Sequence, residues 1–544
     1  MGNHDSSEQG DVDGTRRNLA AGFFSALGIV TLGGCLTNQD SHSGLVAETT
    51  QEIGGTGFQW VDTIVGGTGT PSNLRDTAGS ATTGVAVVGG YNVVGDGGGG
   101  VFHWDPGSHT GDNGGTIIVP TASSTGRWRR IYSGALNAKW FGAGLGAADD
   151  QAVLQSVINV AGSQGGGVVY LPAGNYPVSN ILIINALGVS VIGDGKNATF
   201  IKKTGIDSTI FYLAAAHYCQ IADLSLTMLS GSPSTGSAIW FNSGSTGVTI
   251  QRVYIGSMWQ GITCGGAVSP SQMPREVVIR DVKMENTLHI GMKMYYALNW
   301  SISSCVIGMH FDDAWNAPGS GHYGVWLDTD SEGCIFDTVF VLGGEHCWRI
   351  ANSINPSIRG PNEHRFHSCI GDNGTVSEIY ISSLHRSIFQ NCWVSGQKST
   401  QDAAVVMDSM DIWGVQWIAS QVVNVVGHGI KVIAATSFSI VDSTFSEWNL
   451  STSPAHSAVI VYPGFGPTWR CNFTIIGNQF IRDIDFGNHT NSLTISVTSG
   501  TYNRYIITNN LSYGGSTSAN LGSGALSAVS DLGTAAAKVV NNNL

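Results

Sequence analysis

The chain has 544 residues, of which 74 are glycine; 42% are hydrophobic, only 12% are charged, and the formal net charge is −13. So little charge on so apolar a chain argues against disorder, and the lack of any Lys/Arg-rich run argues against a nucleic-acid partner. High glycine with many short β-branched runs points to an all-β, turn-rich protein, and an acidic whole still leaves room for a local basic site.

At the N-terminus, Thr15-Arg16-Arg17-Asn18-Leu19 precedes an apolar run that ends Leu32-Gly33-Gly34-Cys35. That run is shorter than the roughly 20 residues a spanning helix needs. It reads as the hydrophobic part of an export signal behind a twin arginine. The ending resembles a lipobox, which would make Cys35 the lipidated first residue of the mature protein; an uncleaved N-terminal helix is the alternative. Residues 1–35 are therefore expected to be a twin-arginine, lipoprotein-type signal. The protein would be exported to the cell envelope or surface, lipid-anchored or secreted, and would touch membrane only through that anchor. Residues 36–58, rich in Ser, Thr, Gln and Gly, read as a tether.

Residues 59–135 read as a small β-hairpin module. Val85-Ala86-Val87-Val88, Tyr91-Asn92-Val93-Val94 and Val101-Phe102-His103-Trp104 alternate with glycine clusters. Next comes Trp140-Phe141-Gly142-Ala143, followed by Asp149-Asp150 and apolar residues Val153, Leu154, Val157, Ile158 and Ala161 at helical spacing. The spacing predicts a helix over 151–162, with Asp149 or Asp150 as its cap rather than an acid pair. Gly165-Gly166-Gly167-Val168-Val169-Tyr170-Leu171-Pro172-Ala173-Gly174-Asn175-Tyr176 then gives a strand and a turn, and Val189-Ser190-Val191-Ile192-Gly193-Asp194-Gly195 a second strand.

The run from Trp140 to Gly195 resembles the opening of the pectate-lyase-like (rhamnogalacturonase/epimerase-like) β-helix family. The unit before it resembles a module found ahead of tailspike-type β-helices. The family's Lys-Gly-Asp-Gly is replaced here by Gly144-Leu145-Gly146-Ala147. The resemblance implies an all-β, right-handed parallel β-helix, a single-stranded pectin-lyase-like solenoid with a capping helix. Its members include hydrolases, lyases, epimerases and non-catalytic binders, so it implies a fold more than a reaction. A homotrimer, common in such proteins, stays open.

From about residue 220 to 512 a weak repeat recurs, for example Val278-Ile279-Arg280-Asp281-Val282 and Phe389-Gln390-Asn391-Cys392, at a spacing of roughly 22 to 35 residues, within the solenoid range. The β-helix is expected over 136–512, with 513–544 ending the stack. Of the other eight cysteines, Cys305, Cys369 and Cys392 share one place in the repeat and are expected to stack in the core; disulfides stay open.

Each coil has a second strand whose register can be read. Aligning Gly261, Gly291, Gly324, Cys347, Glu378, Ala404, Gly429 and Ala458 makes the residues one and three further on apolar and inward. The residues between them then point outward: Thr263, Lys293, Trp326, Arg349, Tyr380, Val406 and Lys431. The next outward column holds Tyr295, Asp328, Ala351 and Asp408. The one two before the alignment point holds Trp259, His289, His322, Glu345, Asp402 and His456, with His346 and His428 beside it. Rings that stack on sugar faces and an Arg that pairs with carboxylate suit an acidic polysaccharide, the expected partner. The bland alternative is a solvated sheet face with scattered polar residues. Loop insertions at 310–319, with Asp312 and Asp313 read as a turn, and at 355–365 flank the same coils.

The reaction divides at this point. For β-elimination, Arg349 would neutralise a uronate carboxylate and Lys293, Tyr295 or a His such as His346 would remove the neighbouring proton. For hydrolysis, Glu345 and Asp402, or Asp328, would supply the carboxyls. Trp326, Tyr380, His289, His322 and Lys431 would bind substrate. Asp328, Asp330 and Glu332 are secondary candidates for a hard cation such as Ca2+. Elimination is placed ahead of hydrolysis, and a non-catalytic surface or tailspike-like adhesin is the third reading.

Overall fold

The computed structural model describes residues 58–541, apart from 67–72, 81–83, 122, 243, 266–271, 354–356, 397, 399–400, 449, 451–455, 465–470, 482–492 and 514–528. The proposed signal, Cys35 and nearly all of the tether lie outside the described residues. No described helix is long and apolar enough to cross a membrane.

The first unit is a five-stranded sheet in the order Phe58–Thr63, Val85–Gly90, Gly100–Asp105, Arg127–Arg130, Ile117–Ile118. Val85 pairs antiparallel with His103, so the two outer runs form the hairpin expected of them. Tyr91–Val94 is not a strand. The Asp96 carboxylate gathers the N–H groups of Tyr91, Asn92, Val93 and Gly98 and folds the segment into a turn. The buried Arg130 guanidinium lies over the Phe102 and Trp140 rings, tying this sheet to the segment that follows.

The helix spans Gln151–Ser163 and buries Leu154, Val157, Ile158 and Ala161. The two aspartates divide the cap between them: Asp150 holds the N-cap position and Asp149 supplies the side-chain acceptor. Asp149 takes the first helical N–H, that of Gln151, and also binds Ser179. Asp150 turns its carboxylate to the Gly144 N–H instead. Burial raises the Asp150 pKa to about 6.

Beyond the helix the described strands form a parallel β-helix: with Leu136–Asn137 from before the helix they make a 34-stranded sheet in which strands pair with those one coil away, and Leu384–His385 pairs separately with Ile412–Trp413. The inward positions of one ladder register as Ile250, Ile279, Ile302, Phe336, Phe366, Phe389 and Trp417. Phe336, Phe366 and Phe389 stack ring on ring at 5.1 and 4.3 Å. Each coil therefore buries its inward side chains on its neighbours, and the core is one continuous column. Where this ladder bends into the next, one residue per coil adopts a left-handed conformation: Asp223, Arg252, Asp281, Ser304, Thr338, Ser368, Asn391 and Asp442 all have φ between 50° and 57°. Asp and Asn tolerate that region better than most residues, which suits Asp223, Asp281, Asn391 and Asp442; in one coil the same place is taken by Ala419, with φ 48°. The eight described cysteines are buried free thiols, so Cys305, Cys369 and Cys392 are core residues. Parallel pairing continues past 512, where Val529–Asn541 joins Leu493–Thr508.

Candidate active-site wall

The wall that carries the candidate residues is built by Gln260–Cys264, Ile290–Met294, Tyr323–Leu327, His346–Ile350, Ser377–Ile381, Ala403–Asp408 and His428–Ala434. Their register pairs Thr263 with Lys293, Lys293 with Trp326, Trp326 with Arg349, Arg349 with Tyr380, Tyr380 with Val406, and Val406 with Lys431. The outward column read from the sequence is therefore one continuous ladder, with rungs about 4.8 Å apart.

The strands enter this wall with a kink that strict alternation does not anticipate. A Cβ on Gly291 would lie 2.3 Å from Ile307, and one on Gly324 2.1 Å from Val341, so both positions face the core. The next residues, Met292 and Val325, are also in the core. Two consecutive inward residues leave the residue before them facing out. Ile290, Tyr323, His346, Ser377 and His428 thus stand beside the Lys293–Lys431 column. Tyr323, absent from the sequence-based candidates, is the principal addition; its signal was its place just before the small residue Gly324.

Lys293 and Arg349 approach Trp326 from neighbouring rungs. The Lys293 ammonium is 4.5 Å from the Trp326 ring centroid and 4.9 Å from that of Tyr295. The Arg349 guanidinium lies 5.0 Å from Tyr323, 5.4 Å from Tyr380 and 5.9 Å from Trp326. Neither cation has an ion pair among the described residues, and the buried Arg349 Nε has no hydrogen-bond partner there. Burial lowers the Lys293 pKa from the ordinary lysine value, against the pull of the Asp328 carboxylate. Burial likewise raises the phenols of Tyr295, Tyr323 and Tyr380, so they are protonated, neutral donors at neutral pH. The Tyr380 hydroxyl donates to Asp408 at 3.3 Å.

His346 is sandwiched between Tyr323 and Tyr380, with ring centroids 5.7 and 5.0 Å away. Its Nδ1 meets the Ser377 hydroxyl at 2.8 Å. Burial and the Arg349 charge hold its pKa down to about 3, so it is a neutral imidazole. On the other side of the kink, His289 stacks on Trp259 at 4.7 Å and meets His322 edge-on at 5.3 Å, while Trp315 from the 310–319 insertion stacks on His322 at 5.1 Å. Burial lowers His289 to about 4 and also lowers His322. The Nδ1 atoms of both are buried without a partner among the described residues.

Three carboxylates depart from the roles expected of them. Asp328 is fully buried and accepts from the Trp326 indole N–H, the Thr329 N–H and hydroxyl, and the Ser353 N–H and hydroxyl. It sets the Trp326 ring and ties down the chain after Ala351, which is also buried. Glu345 accepts from the Gly319 and Gly321 N–H groups at 2.9 and 2.8 Å and anchors the insertion. Asp402 is paired with Lys431, which offsets the effect of burial and lowers the Asp402 pKa. Lys431 is therefore engaged by a protein carboxylate, unlike Lys293 and Arg349. In the insertion, Asp312 accepts the Ala314 N–H in a turn, as expected, and Asp313 pairs with Lys398.

The cation candidates also separate. Asp330 and Glu332 are both engaged by Arg359, and with Asp328 saturated they form no open oxygen cage for Ca2+. Among the described residues, Asp402, His428 and His456 form the one cluster with ligand atoms within 4.8 Å of one another. Two of its donors are imidazoles, which suit a transition metal rather than Ca2+. His428 Nδ1 already accepts the Ser457 N–H at 2.8 Å, and Lys431 already neutralises Asp402.

Residues 135–396 match the family model described as rhamnogalacturonase A/epimerase, pectate lyase-like, and residues 69–133 match that of the phage tail protein small four-stranded beta-sheet domain. Mannuronan C5-epimerase AlgE3 of Azotobacter vinelandii is 34% identical over 171 residues, covering 27% of this chain and 9% of its own length. Mannuronan C5-epimerase AlgE4 of the same organism is 34% identical over 167 residues, covering 27% and 29%. The chain thus spans less than a third of the curated relatives it matches. Among solved structures, the A-module of the Azotobacter vinelandii mannuronan C-5 epimerase AlgE6 is 16% identical and covers 74% of this chain and 97% of its own, with a TM-score of 0.49. Tailspike gp49 of Acinetobacter baumannii bacteriophage Fri1, described as a capsular polysaccharide depolymerase, is 14% identical, with coverage of 78% and 75% and a TM-score of 0.47. Residues 135–396 are thus similar to the pectate lyase-like family and residues 69–133 to the phage-tail β domain.

Proposed function

We propose that this protein acts on an extracellular acidic polysaccharide and cleaves it by β-elimination at a uronate unit. The observation that supports this most is the pair of half-buried cations, Lys293 and Arg349, standing over aromatic rings with no ion-pair partner among the described residues. Holding two cations in that state costs solvation, and a substrate carboxylate would offset the cost.

In this reading the Arg349 fork binds the uronate carboxylate and withdraws charge from the carbon next to it. Lys293, in its neutral form, takes the proton from that carbon. The released electron pair forms a double bond to the adjacent ring carbon, whose bond to the glycosidic oxygen breaks. That oxygen leaves as an alcohol after protonation, for which the phenol of Tyr295, its ring centroid 4.9 Å from the Lys293 ammonium, is a neutral donor. Trp326 offers a ring face to the sugar.

Epimerisation is the second reading, favoured by the stretch of sequence shared with mannuronan C5-epimerases. It shares the first proton transfer and differs in returning the proton to the opposite face with no bond cleaved. Hydrolysis is less well supported, because Asp328 and Glu345 are saturated and Asp402 is ion-paired. Incubation with uronate homopolymers tests the set. Ultraviolet absorbance of an unsaturated product with falling chain length supports elimination, while deuterium uptake at unchanged length supports epimerisation. New reducing ends without absorbance indicate hydrolysis, and tight binding with no product would leave an adhesin. Export through a twin-arginine signal, with Cys35 as the lipidated first residue of the mature protein, is part of the same proposal; mass spectrometry of the mature N-terminus tests it.

A further inference from the structure

The column that carries Lys293 and Arg349 continues toward the N-terminal end of the helix. Thr263 pairs with Trp240 and Trp240 with Tyr212, so Trp240 stands on the same outer line, four rungs from Arg349. On its strand Ala238, Ile239 and Phe241 are fully buried, whereas Trp240 is 40% exposed. Tyr212 meets the indole edge-on at 5.2 Å, with an 80° angle between the planes. The Tyr212 hydroxyl is itself bonded by the Asn242 side-chain amide, so the ring that supports the indole is held in place.

Between Trp240 and Lys293 the wall dips. Thr263 is only 5% exposed and donates to the Ser237 hydroxyl, which donates to Gln260. The line therefore runs from an exposed aromatic platform, across a small polar residue, to the Lys293–Trp326–Arg349 cluster. Two features of the platform point to a sugar ring rather than a carboxylate. Neither of its rings has a cation–π partner among the described residues, and an exposed indole braced by an edge-on phenol presents a flat apolar face.

We infer that Trp240, braced by Tyr212, is a distal subsite that stacks on the apolar face of a sugar unit several residues along the same polymer chain. The inference rests on the proposed binding of uronate polymer at Arg349. Substrates long enough to reach across four rungs, about 19 Å at about 4.8 Å per rung, gain from it; shorter ones do not. The subsite would thus set a preference for chain length and align the polymer with the helix axis.

Calorimetric binding of oligomannuronates of defined length to the full chain tests this, using wild type, Trp240→Ala, Trp240→Phe and Arg349→Ala. Trp240→Ala is expected to weaken long oligomers about tenfold and to leave the shortest binding oligomers unchanged. Trp240→Phe, which keeps a flat face, should recover most of the loss, and Arg349→Ala should weaken both lengths. Equal affinity of Trp240→Ala and wild type for long oligomers overturns the subsite, as does an equal loss at both lengths. If the subsite alone is wrong, Arg349→Ala still weakens binding. If wild type binds oligomers of neither length, the reading of the Arg349 site fails as well.

Discussion

Lys293 and Arg349 lie two rungs apart on one outer column and flank the same indole, their charges 4.5 and 5.9 Å from the centroid of Trp326. Asp402 and Lys431, further along the wall, neutralise each other; Lys293 and Arg349 have no such partner among the described residues. Among the described residues the wall thus leaves this cationic pair open to an incoming anion, and its position is set by ladder register rather than by a loop.

Removing the guanidinium removes the proposed clamp. Arg349→Ala should lower kcat/KM on a uronate polymer by about a hundredfold to a thousandfold, the usual loss when a charge-stabilising donor is deleted. Arg349→Lys should recover only part of this, since an ammonium cannot reproduce the planar fork. Kinetics on both variants, with thermal unfolding as the control for folding, decides the point. Activity of Arg349→Ala equal to wild type would remove the clamp.

Lys293 works as a base only after losing its proton. Burial lowers its pKa, so kcat/KM should rise with pH along a limb centred below the free-lysine value of about 10.4. Lys293→Arg keeps the positive charge but provides no base at any accessible pH. It should largely preserve KM while lowering kcat by about a hundredfold or more, and should abolish the rising limb. A pH profile of Lys293→Arg with the wild-type shape would assign the limb to another group.

Asp328 acts as a framework carboxylate. Asp328→Ala would strand buried donors from Trp326, Thr329 and Ser353, at a cost of about 3 kcal/mol. Chemical denaturation should show a lower midpoint, and the Trp326 indole should be less well positioned, raising KM as well. A variant as stable as wild type, with only kcat affected, would return Asp328 to a chemical role.

Glu378 occupies the inward column beneath the wall, fully buried, accepting from Gly374, Gln401 and Cys347. Burial raises its pKa to about 8, well above the roughly 4.3 of an unfolded glutamate. The folded state therefore holds a proton that the unfolded state releases. The resulting stability is fully present below about pH 4 and is lost as the pH rises through about 8. Glu378→Gln should flatten that dependence and raise the melting temperature at pH 8 relative to wild type. A mutant that melts lower at pH 8, with the same pH slope as wild type, would contradict a protonated Glu378.

Much of this protein is legible in its sequence because a solenoid repeats one local rule. Inward apolar positions recur at each coil, so Thr263, Lys293, Trp326, Arg349 and Tyr380 align without knowledge of any long-range contact, and the capping helix follows from the spacing of Leu154, Val157, Ile158 and Ala161. Tertiary structure alone decided what those outward groups meet. The kink at Gly291 and Gly324 sets two residues inward in succession and brings Tyr323 and His346 onto the wall, against strict alternation. Asp328, polar in the sequence, is buried because donors from Trp326 and from a segment 25 residues later satisfy it. Glu345 serves as the anchor of an insertion, and Asp402 as the counter-ion of Lys431. The physical reason is the range of the forces involved. Hydrophobic alternation is local and periodic, whereas the pairing of a charge depends on whichever backbone N–H or ion the next coil or loop places within hydrogen-bond reach.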